Sequence, residues 1–149
     1  MVTFNCNLST KSFDKLTRDL KEYGKKLTES RIHIHEALAD YAYERIVTYV
    51  PVDTGALMNS FAIEVSQDMG RVFTEQYYAK YVEFGTGIRG KNSSYPTDTA
   101  QMVLSNTWRG YSENINGQEA KKFMYQAVLD LEREYVNIAR NVLKERGLL

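Results

Sequence analysis

Cysteine, net charge and long apolar runs are what this 149-residue chain has least of. Its single cysteine, Cys6, allows no intrachain disulfide and no thiolate metal cluster. Nineteen Lys and Arg are matched by nineteen Asp and Glu. That balance argues against broad coating of nucleic acid, which runs on a basic excess, although a local basic patch is still allowed. No apolar run approaches the ~20 residues of a bilayer-spanning helix. The opening MVTFNCNLSTKSF lacks the basic-then-apolar order of a secretion signal. A chain folded or assembled in a cytoplasm, with no membrane partner, is the expectation. What is present is a globular composition, 43% hydrophobic and 26% charged, enough for one domain over 1–149. Eleven tyrosines accompany six Phe and one Trp. Tyr is favoured where one surface meets another, though a Tyr-rich core edge gives the same composition.

Apolar spacing predicts an α+β fold. Phe13, Leu16, Leu20, Tyr23 and Leu27, then Ile34, Leu38, Ala42, Ile46 and Tyr49, step by three and four, a helix over about 12–50. Gly24 and Thr28-Glu29-Ser30 leave open one long helix or two in series, kinked or split between the sets. Pro51 stops the run. Phe61, Ile63 and Val65 alternate with polar neighbours as a half-buried strand, and 71–75 returns as a second, antiparallel strand after the turn residues Asp68-Met69-Gly70. Residues 77–87, YYAKYVEFGTG, read as a short helix closed by Gly85. Residues 88–118, rich in Gly, Asn and Ser, read as a long loop that Met102, Val103, Leu104 and Trp108 pin down. A second long helix spans about 118–146 and ends at Gly147. The small sheet is thus flanked by two long helices, and residues 1–11 form a flexible start.

Asp53-Thr54-Gly55 is the signature tripeptide of aspartic proteases. That chemistry needs two carboxylates sharing one proton, each on a loop after an apolar strand. Here a helix precedes the motif, and Pro51 cannot donate within a central strand. The bracing element of two aliphatics and a glycine is answered only by Gly87-Ile88-Arg89-Gly90, with arginine in an aliphatic place. A hydrolase using Asp53 is therefore the weaker reading. The stronger is a corner: Pro51 ends the helix, Asp53 and Thr54 capture free backbone amides, and Gly55 takes a positive φ.

The remaining candidates are weaker still. His33 and His35, two apart on a helix, do not share a face and read as surface histidines, not metal ligands. Glu83, between Val82 and Phe84, either has a raised pKa or bonds the free amides of the neighbouring Gly85-Thr86-Gly87, the preferred reading. That tripeptide lacks the lysine and spacing of a phosphate loop, so no cofactor and no small-molecule substrate are expected. Residues 11–31 hold seven Lys/Arg and four Asp/Glu and read as a solvated helix face. Arg89 and Lys91, with no acid between Gly85 and Thr97, are candidate DNA-facing charges.

Three motifs in order carry a family likeness: Val-Pro-Val-Asp-Thr-Gly-x-Leu-x-x-Ser at 50–60, Tyr-Ala-x-Tyr-Val-Glu-Phe-Gly-Thr-Gly at 78–87, and Phe-Met-x-x-Ala at 123–127. Over about 30–147 the chain resembles the tail-component, or minor tail, protein family of long-tailed bacteriophages and prophages. Pro51, Asp53, Thr54, Gly55, Tyr78, Tyr81, Glu83, Phe84, Gly85, Thr86, Gly87 and Phe123 are the positions that match. The family often has proline before the phenylalanine of the third motif, where Lys122 stands here, and often a shorter stretch after Gly-Thr-Gly. The resemblance implies a non-enzymatic virion part, acting in tail completion and head–tail joining. Its implied partners are further copies of itself in a ring, often six-fold, and neighbouring connector or tail proteins, with phage DNA only as passing cargo. It implies a place at the tail or head–tail interface of a virion assembled in a bacterial cytoplasm. A soluble regulatory module that binds nucleic acid is the remaining alternative.

Overall fold

A helix of forty residues, α1 (Thr10–Tyr49), is the longest element of the computed structural model, which describes residues 10–93 and 110–149. The expectations for residues 1–9 and for 94–109, including Met102, Val103, Leu104 and Trp108, lie outside the described residues. α1 contains no proline and runs unbroken through Gly24 and Thr28-Glu29-Ser30, so the single-helix alternative holds. Its hydroxyl residues do not compete with the helix. Thr17, Thr28, Ser30 and Thr48 each donate to the carbonyl four residues back. The amide of Val50 still bonds the Ile46 carbonyl at 2.8 Å, and Pro51, with no N–H, ends the run.

After the corner a 3-10 turn (Met58–Ser60) leads into β1 (Phe61–Val65) and β2 (Gly70–Thr74). The two strands pair antiparallel with Phe61 opposite Thr74 and Val65 opposite Gly70. Phe61, Ile63 and Val65 are the less exposed positions of β1, as the alternation predicts. The hairpin turn is closed by Ser66, whose hydroxyl accepts the amides of Asp68 and Met69. Arg31 of α1 reaches Asp68 at 2.9 Å, and the His35 ring sits 3.2 Å from the Ser66 carbonyl. The approach is close because position 70 is glycine: a Cβ there would lie 2.6 Å from the His35 carbonyl oxygen.

Two short helices follow, α2 (Ala79–Phe84) and α3 (Gly87–Asn92), and then α4 (Phe123–Glu145). The reading of 88–118 as loop therefore needs correction at its start: 88–92 is helical, its first amides bonded by carbonyls of 115–116. The last helix also begins about five residues later than its pattern suggests. Residues 118–122 are spent crossing α2, with the amides of Lys121 and Lys122 bonded to the carbonyls of Val82 and Glu83. Gly147, at φ 68°, ends α4 as expected.

α4 returns antiparallel along α1. Tyr49 donates to Asp130 at 2.6 Å, the Arg146 Nε to the buried Ser30 hydroxyl at 2.9 Å, and the Tyr23 hydroxyl reaches the Leu148 carbonyl. The core lies where α1, the hairpin, α2 and the start of α4 meet: Ile46, Val50, Leu57, Phe61, Ala79, Phe123 and Ala127. Phe123 is its centre, 1% exposed, with its ring edge-on to Phe61 at 5.8 Å. Burying such a side chain contributes about 2–3 kcal/mol.

Gly24 lies within α1 with open space where a Cβ would stand. Gly24→Ala is expected to stabilise the fold by about 0.5–1 kcal/mol, read as a higher denaturation midpoint, because alanine loses less backbone freedom in a helix.

Candidate functional site

The second and third motifs meet in space. Gly85 stops α2 at φ 75°, its amide bonded to the Tyr81 carbonyl at 3.0 Å, and Gly87 starts α3 at φ 61°. Between them Thr86 pairs with Gln118 as in a short antiparallel ladder, Thr86 N to Gln118 O at 2.8 Å and Gln118 N to Thr86 O at 3.1 Å. Around it, Gly87, Ile88 and Arg89 donate to the carbonyls of Gly110, Ile115 and Asn116. The two backbones approach so closely that no side chain fits. A Cβ on Gly87 would overlap the Ile115 carbonyl, one on Gly117 the Thr86 carbonyl, and one on Gly85 would lie 2.6 Å from the Ala120 amide. Gly-Thr-Gly is thus a backbone crossing with no free amide cradle, because its amides already have backbone partners.

Glu83 holds the next link. Its side chain is 4% exposed and accepts the amides of Met124 at 2.9 Å and Tyr125 at 3.0 Å, in the first turn of α4. The expectation that it would bond the Gly-Thr-Gly amides is corrected: those are taken by the carbonyls of Tyr81, Gln118 and Gly110, whereas the start of α4 has orphan donors and a positive dipole end. Burial raises the Glu83 pKa above its ordinary 4.5 and outweighs the amide bonds and the Lys122 charge, which act to lower it. Lys122, the residue before Phe123, is left-handed at φ 55° and donates its amide to the Glu83 carbonyl at 3.1 Å. A proline there could neither adopt that φ nor make that bond. The departure from the family's usual proline therefore goes with a different entry into the helix.

The aromatic motif residues divide by exposure. Tyr78 and Val82 pack against the core, Tyr77 is 78% exposed and stands edge-on to Tyr78 at 5.5 Å, and Tyr81 is 36% exposed. The Phe84 carbonyl accepts the Tyr111 hydroxyl at 3.1 Å, another tie across the crossing. An open groove of about 480 Å³ lies beside them, lined by Phe61, Phe73, Tyr77, Lys80, Phe84 and Met124 among others.

Around Asp53 the geometry departs from a clasp. Thr54 does accept a backbone amide, from Ala56 at 3.4 Å, and Gly55 has φ 78° as expected. The Asp53 carboxylate is exposed and makes no hydrogen bond among the described residues. The cleft beside it, about 450 Å³, is lined by Pro51, Thr54, Tyr78, Val82, Gln118 and Lys121 among others, with no second carboxylate. Among the described residues that line this cleft, Asp53 thus has no proton-sharing partner of the kind the protease reading requires. Arg89 and Lys91 are not bare cations: they pair with Glu119 at 2.9 Å and Glu113 at 2.8 Å. Each acid is held below its usual carboxyl range by the hydrogen bond from its partner. His33 faces Glu36 at 3.4 Å, and no cluster of metal-ligating side chains occurs among the described residues. The acids that neutralise Arg89 and Lys91 lie 30 and 22 residues away, beyond any local sequence signal.

Gly87→Ala is expected to destabilise the protein by more than about 2 kcal/mol in denaturant unfolding, since it adds a clash to a positive φ. For Glu83 the sign follows from linkage. The folded state holds the proton more tightly than the unfolded one, so the group's contribution is complete below pH 4.5 and declines as pH rises through the raised folded pKa. The stability of wild type minus that of Glu83→Gln should therefore fall on going upward from pH 4.5. A flat difference across paired urea titrations would contradict the assignment.

Comparison with known proteins bears on one half of this architecture. Neither the curated proteins nor the solved structures contain a match to the chain. A family model does match, over residues 14–85, described as bacteriophage HK97-gp10, putative tail-component. The matched stretch begins earlier than the likeness read from the motifs and ends at Gly85, short of Phe123. It takes in most of α1, the Pro51–Gly55 corner, the hairpin and α2. From Asp14 to Gly85, just under half of its length, the chain is similar to the bacteriophage HK97-gp10 putative tail-component family.

Proposed function

We propose that the protein is a structural subunit of a tailed-phage or prophage virion, without enzymatic activity, that completes the tail and joins it to the head as part of a ring. The match of residues 14–85 to a tail-component family carries the reading. The structure adds support of three kinds. The crossing, α2 and the start of α4 are locked together by backbone bonds and a buried carboxylate, which suits a part that bears load. The groove beside the exposed Tyr77 and Lys80 offers a neighbouring subunit an apolar slot with a polar rim. A net charge of zero, with Arg89 and Lys91 already paired, suits a lumen through which DNA slides without being held. The protein's other partners in this reading are adjoining connector or tail proteins. A hydrolase using Asp53 and a DNA-binding regulator have no comparable support.

Deleting the gene from its phage or prophage is expected to leave heads and tails made but unjoined in electron micrographs, with infectivity restored by the wild-type chain. Tyr77→Ala, at a residue 78% exposed, should impair that restoration while leaving the melting temperature within about 2 °C. Normal infectious particles without the protein, or its absence from purified virions, would overturn the proposal.

A further inference from the structure

Among the described residues, the first half of α1 carries a largely exposed apolar stripe, touched at Tyr23 by the Leu148 carbonyl. Every residue from Phe13 to Glu29 is exposed, and the first buried residue of the helix is Ser30, where Arg146 bonds it. The projecting part, residues 10–29, is about 30 Å long at 1.5 Å per residue. Along it Phe13, Leu16, Leu20, Tyr23 and Leu27 are 55%, 47%, 62%, 48% and 43% exposed. Their spacing alternates three and four, the seam of a coiled coil, and it continues into Ser30 and Ile34. From Ser30 onward α4 lies antiparallel on α1; beyond the end of α4 the same seam runs on exposed, with the Tyr23 hydroxyl reaching the Leu148 carbonyl.

We infer that this arm pairs with the arm of a second copy of the chain, as an antiparallel two-helix coiled coil. Self-pairing fits because the seam is its own complement, and the flanking charges choose the direction. Asp19 and Lys26 occupy one flank of the seam, Thr17, Gly24 and Arg31 the other. Parallel pairing sets Lys26 against the partner's Arg31, like against like. Antiparallel pairing with Leu20 on the partner's Tyr23 and Leu16 on the partner's Leu27 brings Asp19 beside the partner's Lys26, twice by symmetry. Sliding one heptad, to put Leu20 on the partner's Leu16, would oppose the two Asp19 carboxylates instead. Lys26 already pairs with Glu22 on its own helix at 2.9 Å, an exposed contact that competes only weakly. The partner's Phe13 then reaches the end of α4, where Leu149 is 68% exposed. Such a two-fold contact cannot itself close a cyclic ring, so it joins subunits, or whole rings, in pairs and stands independently of the tail-completion reading.

Disulfide trapping in a Cys6→Ser background, together with the mass in solution, tests the pairing. A mixture of Leu20→Cys and Tyr23→Cys chains should cross-link on mild oxidation at least fivefold more than either chain alone. Leu20→Glu should halve the assembled mass of the full chain, whose monomer is 17.2 kDa, with the helical signal of the fold retained. Self-linking of Leu20→Cys alone would show a parallel pair and overturn the proposal. So would a wild-type mass unchanged by Leu20→Glu. Whether the Leu20→Glu chain still restores head–tail joining reads the proposed function separately.

Discussion

Everything in the second half of the structure depends on a backbone crossing too tight for any Cβ. Residues 85–87 and 115–118 bond main chain to main chain, and the glycines at 85, 87 and 117 are what let them touch. Once that crossing is made, residues 118–122 run over α2 and deliver Phe123 into the core between α1 and the hairpin. Glu83 then takes the first free amides of α4. Position, burial and capping of α4 therefore follow from one contact whose strength lies in fit, not in any single side chain.

The buried carboxylate shows how opposing terms settle. Desolvation alone would forbid an acid at 4% exposure, and a helix start alone would welcome one. Burial wins for proton affinity, while the amide bonds win for position: the carboxyl stays inside because every alternative leaves α4 with unbonded donors. The same accounting explains Asp53. At an exposed corner a carboxylate has no desolvation to offset, so nothing compels a clasp.

Local periodicity was enough to read much of this fold. The three-four spacing of α1, the alternation of Phe61, Ile63 and Val65, and the stops at Pro51, Gly85 and Gly147 are properties of neighbours in sequence, and the structure has them where they were expected. What escaped was decided at a distance. The start of α4 lies at Phe123 and not near Gln118 because Val82 and Glu83 capture the intervening amides. Residues 88–92 are helical although Gly87 precedes them and Gly90 lies among them, because carbonyls of 115–116 bond their first amides. Glu83 was recognisable as an acid in apolar company, yet its partners lie 41 and 42 residues onward. The stripe from Phe13 to Leu27 was legible as a helix face; that its side chains stand exposed was not.

The long reach of these contacts also orders events during synthesis. Tyr49 meets Asp130 across 81 positions, and Tyr23 meets Leu148 across 125. α1 and the hairpin lie close in sequence and can associate early, whereas the α1–α4 seam waits for the final helix to leave the ribosome. Until then the apolar side of α1 that α4 will cover is exposed along with the arm. The nascent chain therefore carries a continuous sticky helix face from Phe13 to Tyr49, and only α4 divides it into a part sealed by the chain itself and a part kept for another.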